Sequence, residues 1–423
     1  MEPGMQEIID VTKEKFGLED YYLRRHRIER SVDIVNKTNY ILSMEWFPAD
    51  VAVQEDEDTN PDGAAVIEMY VNSQKVKSAI FVGGKTYAKN GVTFTNINRK
   101  YVIEWIEKET KLLYGEQFQL HKEDEREYHF KECINGIAVS PSGYIELQVN
   151  QEGQLTFFSV NGQFPSKDLV NEETYSLSLD RVEHLAKQQI QFAEFPLFDK
   201  ERLVSAYVID EIYITNDGKE TLPFVMVADG RPYVQIEQTI GWDEAITIPF
   251  KRKELQLLEE VTVEQAFLTE ASPDSLPITK DEEEKCVTAV RNFLRQEYPD
   301  ESGKWSLKTL HRENGYIQAI LRRNKQTSRV FQRKLLLMID GKSFLVSNFI
   351  DNKPLMTMFD LFQASDRVNI NKEEASEKLK DFVELKSVYV YDFKQKHYIL
   401  CGKLDCQYGV NASNGEVVSL DEL

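Results

Sequence analysis

Cysteine is scarce in this chain. Only Cys133, Cys286, Cys401 and Cys406 occur in 423 residues, too few for a disulfide framework to organise the fold. Cys401 and Cys406 stand five positions apart in a strand-like run, so their side chains fall on opposite faces and cannot chelate one metal together. Buried structural thiols are the expectation. Long apolar runs are also missing. No stretch reaches the roughly 20 apolar residues that span a bilayer, and the opening MEPGMQEIIDVTKEKFGLED shows no basic start followed by an apolar core. These absences give the expectation of a cytoplasmic chain with no membrane partner. The phosphate-cradling P-loop, the GxGxxG dinucleotide turn, the GxSxG elbow, HExxH and paired CxxC are absent as well. The six histidines, His26, His121, His129, His184, His311 and His397, are scattered, and satisfied or exposed rings account for them.

Positive charge is in deficit. Lys and Arg number 51 against 71 Asp and Glu, a formal net charge of −20 with a pI near 4.9. Phosphate backbones and anionic membrane surfaces repel such a chain, so nucleic acid is excluded as a general partner. Hydrophobic content of 41% with 11% aromatics supplies real cores. The length points to two or three domains.

What is present is repetition. Helix-patterned stretches alternate with pairs of strand-patterned runs joined at turns rich in Asn, Asp or Gly. Residues 67–81 read IEMYVNSQKVKSAIF and residues 145–158 read IELQVNQEGQLTFF. Further pairs lie at 223–236, 335–349 and 408–420. Helices are expected to start near residues 5, 98, 180, 281 and 372. Capping-box spacing stands at Asp180 with Glu183, Thr279 with Glu282, and Asn371 with Glu374. Gly115 is placed to stop the second helix. The pattern predicts an α+β fold of repeated units, each one helix packed on a small antiparallel sheet, in two or more domains. The expected spans are 1–165 for N-terminal helix-on-sheet units, 166–272 for a middle unit and 273–423 for C-terminal units. The sharpest break is EASPDSLPI at 270–278.

The C-terminal run ASEKLKDFVELKSVYVYDFKQKHYILCGKLDCQYGVNASNGEVVSL resembles the repeat of the YcdB/YcdC family of bacterial proteins. It is also similar to the PepSY module, whose signature ends in a strand, a D/N-A-x-x-G-x turn and a final strand. NGIAVSPSGYIELQVNQEGQLTFFSV resembles the other half of such a repeat, and YILSMEWFP fits the same family's N-terminal unit. The resemblance is sharp over 135–160 and 375–420. It implies no catalytic motif. PepSY modules imply binding, inhibitory or sensing roles, often outside the cell.

Two constellations could carry chemistry. Asp58, Asn60 and Asp62, followed by Gly63, match the D-x-N-x-D-G start of a calcium loop, with oxygen ligands at alternate positions for a hard cation. Met69 stands where the bidentate Glu belongs, and the flanks read as strands. A solvated turn explains the same residues. No other cofactor is expected. The second constellation is a basic island. Between Lys304 and Lys342 ten Lys or Arg meet only Glu313 and Asp340. Arg322, Arg323, Lys325, Arg329 and Arg333 would form a docking ribbon for an acidic protein segment. The alternative is edge-blocking charge on outward strand positions, or pairing with the acidic remainder of the chain. Tyr40, Trp46, Phe47, Tyr389 and Tyr391 are read as core aromatics before an apolar ligand groove. Together these features predict a non-catalytic binding protein that recognises a peptide or an acidic protein partner. A hydrolase with an interdomain active site and a structural cytoplasmic protein are the rivals.

Overall fold

The computed structural model describes residues 3–423 other than 51–58, 96, 225–226, 228–231, 257–260 and 326. The chain forms two compact units, each discontinuous in sequence. Unit 1 comprises Met1–Glu172, Glu259–Ser275 and Val388–Ile399. Unit 2 comprises Glu173–Leu258, Leu276–Ser387 and Leu400–Leu423.

Unit 1 is a broad sheet with helices on one face. Its strands are β1 (Tyr21–Val32), β2 (Thr38–Pro48), β3 (Ala65–Tyr70), β4 (Val76–Phe81), β5 (Phe118–Asp124), β6 (Glu127–Ile134), β7 (Ile137–Ser140), β8 (Tyr144–Val149) and β9 (Leu155–Asn161). They run in the order β1-β2-β3-β4-β9-β8-β6-β7, with β5 also on β6. Val388, Tyr389 and Val390 of β19 (Glu384–Asp392) add a parallel pairing to β7. The alternation in IEMY and IELQ sends Ile67, Met69, Ile145 and Leu147 to the core face. There they meet Met5, Ile8 and Ile9 of α1 (Pro3–Lys15) and Val102 and Ile106 of α2 (Arg99–Thr110).

The opposite face carries a polar row set by strand register. Arg27, Ser43, Glu68, Ser78, Ser159, Glu146, His129 and Lys122 are successive cross-strand neighbours. The repeated Ile-Glu pair therefore places Glu68 and Glu146 symmetrically about the β4–β9 junction. Ser78 and Ser159 lie between them.

Unit 2 contains three strand groups. The first is β10 (Ile190–Leu197), β11 (Arg202–Ile209), β21 (Tyr408–Asn411) and β22 (Val417–Ser419), in that order. The second pairs β12 (Ile212–Thr215) with β13 (Thr221–Pro223) and with residues 401–404 of β20 (His397–Asp405). The third runs β14 (Val234–Ile240), β15 (Trp305–Glu313), β16 (Tyr316–Arg323), β17 (Lys334–Asp340), β18 (Val346–Asp351). Val182 and Ala186 of α3 (Leu179–Gln188) and Ala375 and Leu379 of α5 (Lys372–Leu379) share one core with Ile190, Ile209, Ile212 and Val410. Cys286, Val290, Phe293 and Leu294 of α4 (Lys280–Glu297) pack on Leu307, Ala319, Leu337 and Phe349.

The expectation of repeated units with one helix on a small sheet is overturned. Among the described residues there are 22 strands and seven helices, and strand accounts for 39% against 24% helix. The cause is edge pairing. The hairpins at 67–81 and 145–158 exist, but β4 and β9 pair through Ser78, Ala79 and Ile80 with Ser159, Phe158 and Phe157. Two edges that would each present unpaired backbone groups are thereby closed into one sheet. The pair expected at 223–236 is not a hairpin, since β13 pairs with β12 and β14 with β15.

The five helices expected from periodicity begin at residues 3, 99, 179, 280 and 372. Capping boxes stand at Thr279 with Glu282 and at Asn371 with Glu374. Ser178, not Asp180, precedes α3. The second helix stops before Gly115, because Lys111 turns left-handed at φ 63° and bonds back to the Glu107 carbonyl. Residues 270–275 are bonded to β2: Tyr40 donates to the Glu270 carbonyl at 2.8 Å and the Ser272 N–H to Thr38 Oγ1 at 2.8 Å.

One turn recurs within each unit. At Tyr70–Lys75, Asp340–Leu345 and Asn411–Glu416 the first residue's N–H bonds the carbonyl five positions on, and the fifth residue is left-handed. Asp340, Asp392 and Asn411 each add a side-chain oxygen that accepts from N–H groups two and three positions ahead. This is the mechanism by which Asx residues specify turns. Gly415 takes the left-handed position in one copy, while Gln74, Phe344 and Lys396 take it in others.

Candidate functional site

A recess with both apolar and polar lining lies in unit 2, along α4. Its volume is about 810 Å³, within the range of ligand sites. One wall is a helix face. Asp281, Glu284, Lys285, Thr288, Ala289, Asn292, Phe293 and Gln296 all line it, and their spacing of three and four is that of one helical stripe. The stripe extends for roughly 22 Å at 1.5 Å per residue.

The floor is aromatic. Phe250 meets Phe293 edge-on at 5.0 Å between ring centroids, and Phe293 meets Phe349 at 4.8 Å. Phe344, Leu345 and Val346 close one end. Leu345 is 57% exposed.

The second wall is a tethered segment. Ile246 N–H donates to the Arg295 carbonyl at 3.1 Å, and Lys253 N–H donates to the Ser347 carbonyl at 2.8 Å. Asn348 returns a bond to the Lys253 carbonyl at 3.1 Å. Between these anchors the side chains alternate. Arg252 lies over the Phe349 ring, 3.9 Å from its centroid, while Lys251 and Lys253 line the trough. Lys285 is occupied: it pairs with Asp281 at 2.6 Å and sits 5.0 Å from the Phe344 ring.

The sequence-selected residues lie elsewhere. Asp58 is outside the described residues. Asp62 is ion-paired with Lys85 in the turn before β3, and Gly63 there has φ 79°. Asn60 is half-buried in the same turn. Among the described residues no group of three or more His, Cys, Asp and Glu could hold a metal ion.

The basic island sits around the β16–β17 connection. Arg323 pairs with Glu301, Arg329 with Asp360 at 2.8 Å, and Arg333 with Asp351. The guanidinium carbons of Arg323 and Arg333 lie 5.6 and 5.3 Å from the Trp305 ring centroid. Trp305 donates in turn to Glu301 at 2.7 Å. Arg322 is half-buried opposite Ser306 and Lys334, and Lys325 is exposed. Tyr40, Trp46, Phe47, Tyr389 and Tyr391 are buried.

Sequence reasoning missed Glu132 of unit 1. It is 1% exposed. Oε2 accepts from the Gly143 N–H at 2.9 Å and the Gln163 N–H at 3.4 Å, and Oε1 from the Phe164 N–H at 2.8 Å. Burial pushes its carboxyl up to about 7, against the pull of those three bonds. Its donors are all main chain, so it serves as a junction between loops. His129 reaches Glu146 at 3.3 Å but is separated from Ser159 by β8. Two strand spacings are about 10 Å, beyond the reach of a nucleophile–base pair.

No known family profile matches the chain, and no curated protein matches it in sequence. A similarity is found to the solved Bacillus megaterium YpeB C-terminal domain, at 7% identity and a TM-score of 0.24, covering 82% of this chain and 96% of that one. Among the described residues no helix is long and apolar enough to cross a membrane.

Proposed function

We propose that the chain is a binding protein whose unit 2 trough takes an extended peptide segment. The observation that carries this reading is the pairing of an apolar floor with a ladder of polar side chains on one wall. Thr288, Asn292 and Gln296 recur every four residues along α4, a rise of about 6 Å per step. An extended backbone repeats its outward N–H and C=O groups every two residues, about 6.7 Å. The two periods differ by about 0.7 Å per step, so the register drifts by only about 1.4 Å over the two steps from Thr288 to Gln296. Thr288 donates its hydroxyl to the Glu284 carbonyl at 3.0 Å and keeps acceptor capacity. Asn292 takes only a 3.5 Å contact from Arg295 on its oxygen, leaving its amide N–H groups to donate. Main-chain bonds of this kind give affinity, and the accessible apolar lining at Phe250, Phe344 and Leu345 receives alternate side chains.

The test is fluorescence anisotropy with a labelled seven-residue peptide alternating Leu and Ser. Binding is expected to the native chain and to be lost in Thr288→Trp, which fills the trough from an exposed helix position. No anisotropy change with the native chain, or equal binding by the variant, refutes the reading.

A further inference from the structure

We infer that the trough selects peptides in which apolar residues alternate with acidic ones. The apolar set faces the accessible apolar lining, Phe250, Phe344 and Leu345, and the acidic set faces Lys251 and Lys253. This inference rests on the peptide-binding reading and adds to it the chemistry of the outward positions. Three lysines and two carboxylates line the recess. Asp281 is neutralised by Lys285 at 2.6 Å. Lys251, Lys253 and Glu284 are left to meet a ligand, and among the described residues neither Lys251 nor Lys253 has a carboxylate at ion-pair distance.

The two lysines are two positions apart, with Arg252 turned away onto Phe349 between them. That spacing repeats the same-side period of a strand. An extended ligand beside this wall therefore meets an ammonium group at every second residue. Those residues are the ones not directed at the floor, because successive side chains of a strand point to opposite sides. Closely similar spacings thus link the polar ladder on α4 to the lysine pair. Glu284 lies toward the start of α4, so the acidic positions belong beside residues 288–296. Selection against the wrong ligand is built in as well. A basic residue at those positions would meet two like charges, which costs affinity and shapes specificity.

The experiment uses the full chain and three labelled seven-residue peptides, with Leu alternating with Glu, Ser or Lys. The expected order of affinity is Glu, then Ser, then Lys. About ten-fold should separate the first from the last at low salt, the scale of two exposed charge pairs. Raising the salt should compress the series by screening. In Lys251→Glu/Lys253→Glu, at exposed positions that do not hold the core, the order should reverse. Equal binding of all three peptides, or an unchanged order in the double variant, overturns the selectivity and leaves the peptide trough standing. Binding of none of the three overturns both.

Discussion

Replacing Glu132 with Gln tests the buried junction of unit 1. The carboxyl ordinarily titrates at 4.5 and burial raises it to about 7. The folded protein therefore holds the proton over a range in which the unfolded chain has released it. The associated stability is fully present below about 4.5 and is lost as pH rises through 7. That interval corresponds to on the order of 3 kcal/mol. The amide introduced by Glu132→Gln cannot ionise, so this pH-dependent part should vanish in the variant. With its carbonyl oxygen in the place of Oε2 the amide still accepts from Gly143 and Gln163. Its NH₂ then faces the Phe164 N–H and leaves that donor unsatisfied, at about 1–3 kcal/mol. At pH 5 the variant should be less stable than the native chain by that amount. At pH 8 the difference should shrink or change sign. Hydrogen exchange followed by mass spectrometry reads this locally, through the protection of peptides covering 160–166 after correction for intrinsic exchange rates. Protection that is independent of pH between 5 and 8 in the native chain would refute the reasoning. An identical pH slope in Glu132→Gln would refute it too.

Gly143→Ala should destabilise unit 1 by about 1–3 kcal/mol or more, because the added carbon would stand 2.3 Å from Glu132 Oε2 and 2.6 Å from the Gly162 Cα. The readout is thermal unfolding by circular dichroism. Asp351→Ala should cost unit 2 roughly 3–5 kcal/mol by leaving Arg333 unpaired over Trp305, visible in the fluorescence of that tryptophan. The left-handed turn positions give opposite signs. Lys396→Gly should stabilise by about 1 kcal/mol through relief at φ 57°. Gly415→Ala should destabilise by at least as much, since a Cβ there also meets Ile370 Cδ1 at 2.9 Å. Both are checked by urea denaturation.

Local order was legible in the sequence wherever its cause is local. Thr279 with Glu282 and Asn371 with Glu374 cap their helices through bonds three residues long. Four of the five expected strand pairs are hairpins, and in three of them an Asx side chain, Asn150, Asp340 or Asn411, fixes the turn. The fold class was misread because periodicity says which runs are strands but not what lies beyond their outer edges. The decisive pairing of Ser78 with Ser159 joins residues 81 positions apart. The basic island shows the same limit. Its residues count as a local surplus along the chain, but Glu301, Asp351 and Asp360 arrive from other elements to pair with them. In the trough, the stripe Thr288, Asn292 and Gln296 reads as the polar side of an ordinary amphipathic helix. Only the return of residues 246–253 alongside it makes that side a wall.

That wall has a mechanical property of its own. It is a span held at Ile246 and again at Lys253, not a strand bonded along its length. Bowing outward between the two anchors would keep both of those bonds and the ladder between β17 and β18, but it would lift Phe250 from Phe293 and Phe349 and Arg252 from the Phe349 ring. Opening for a bulky side chain therefore costs that packing, while the helix wall stays fixed. Such a site would measure the spacing of its ligand strictly and the size of each side chain loosely.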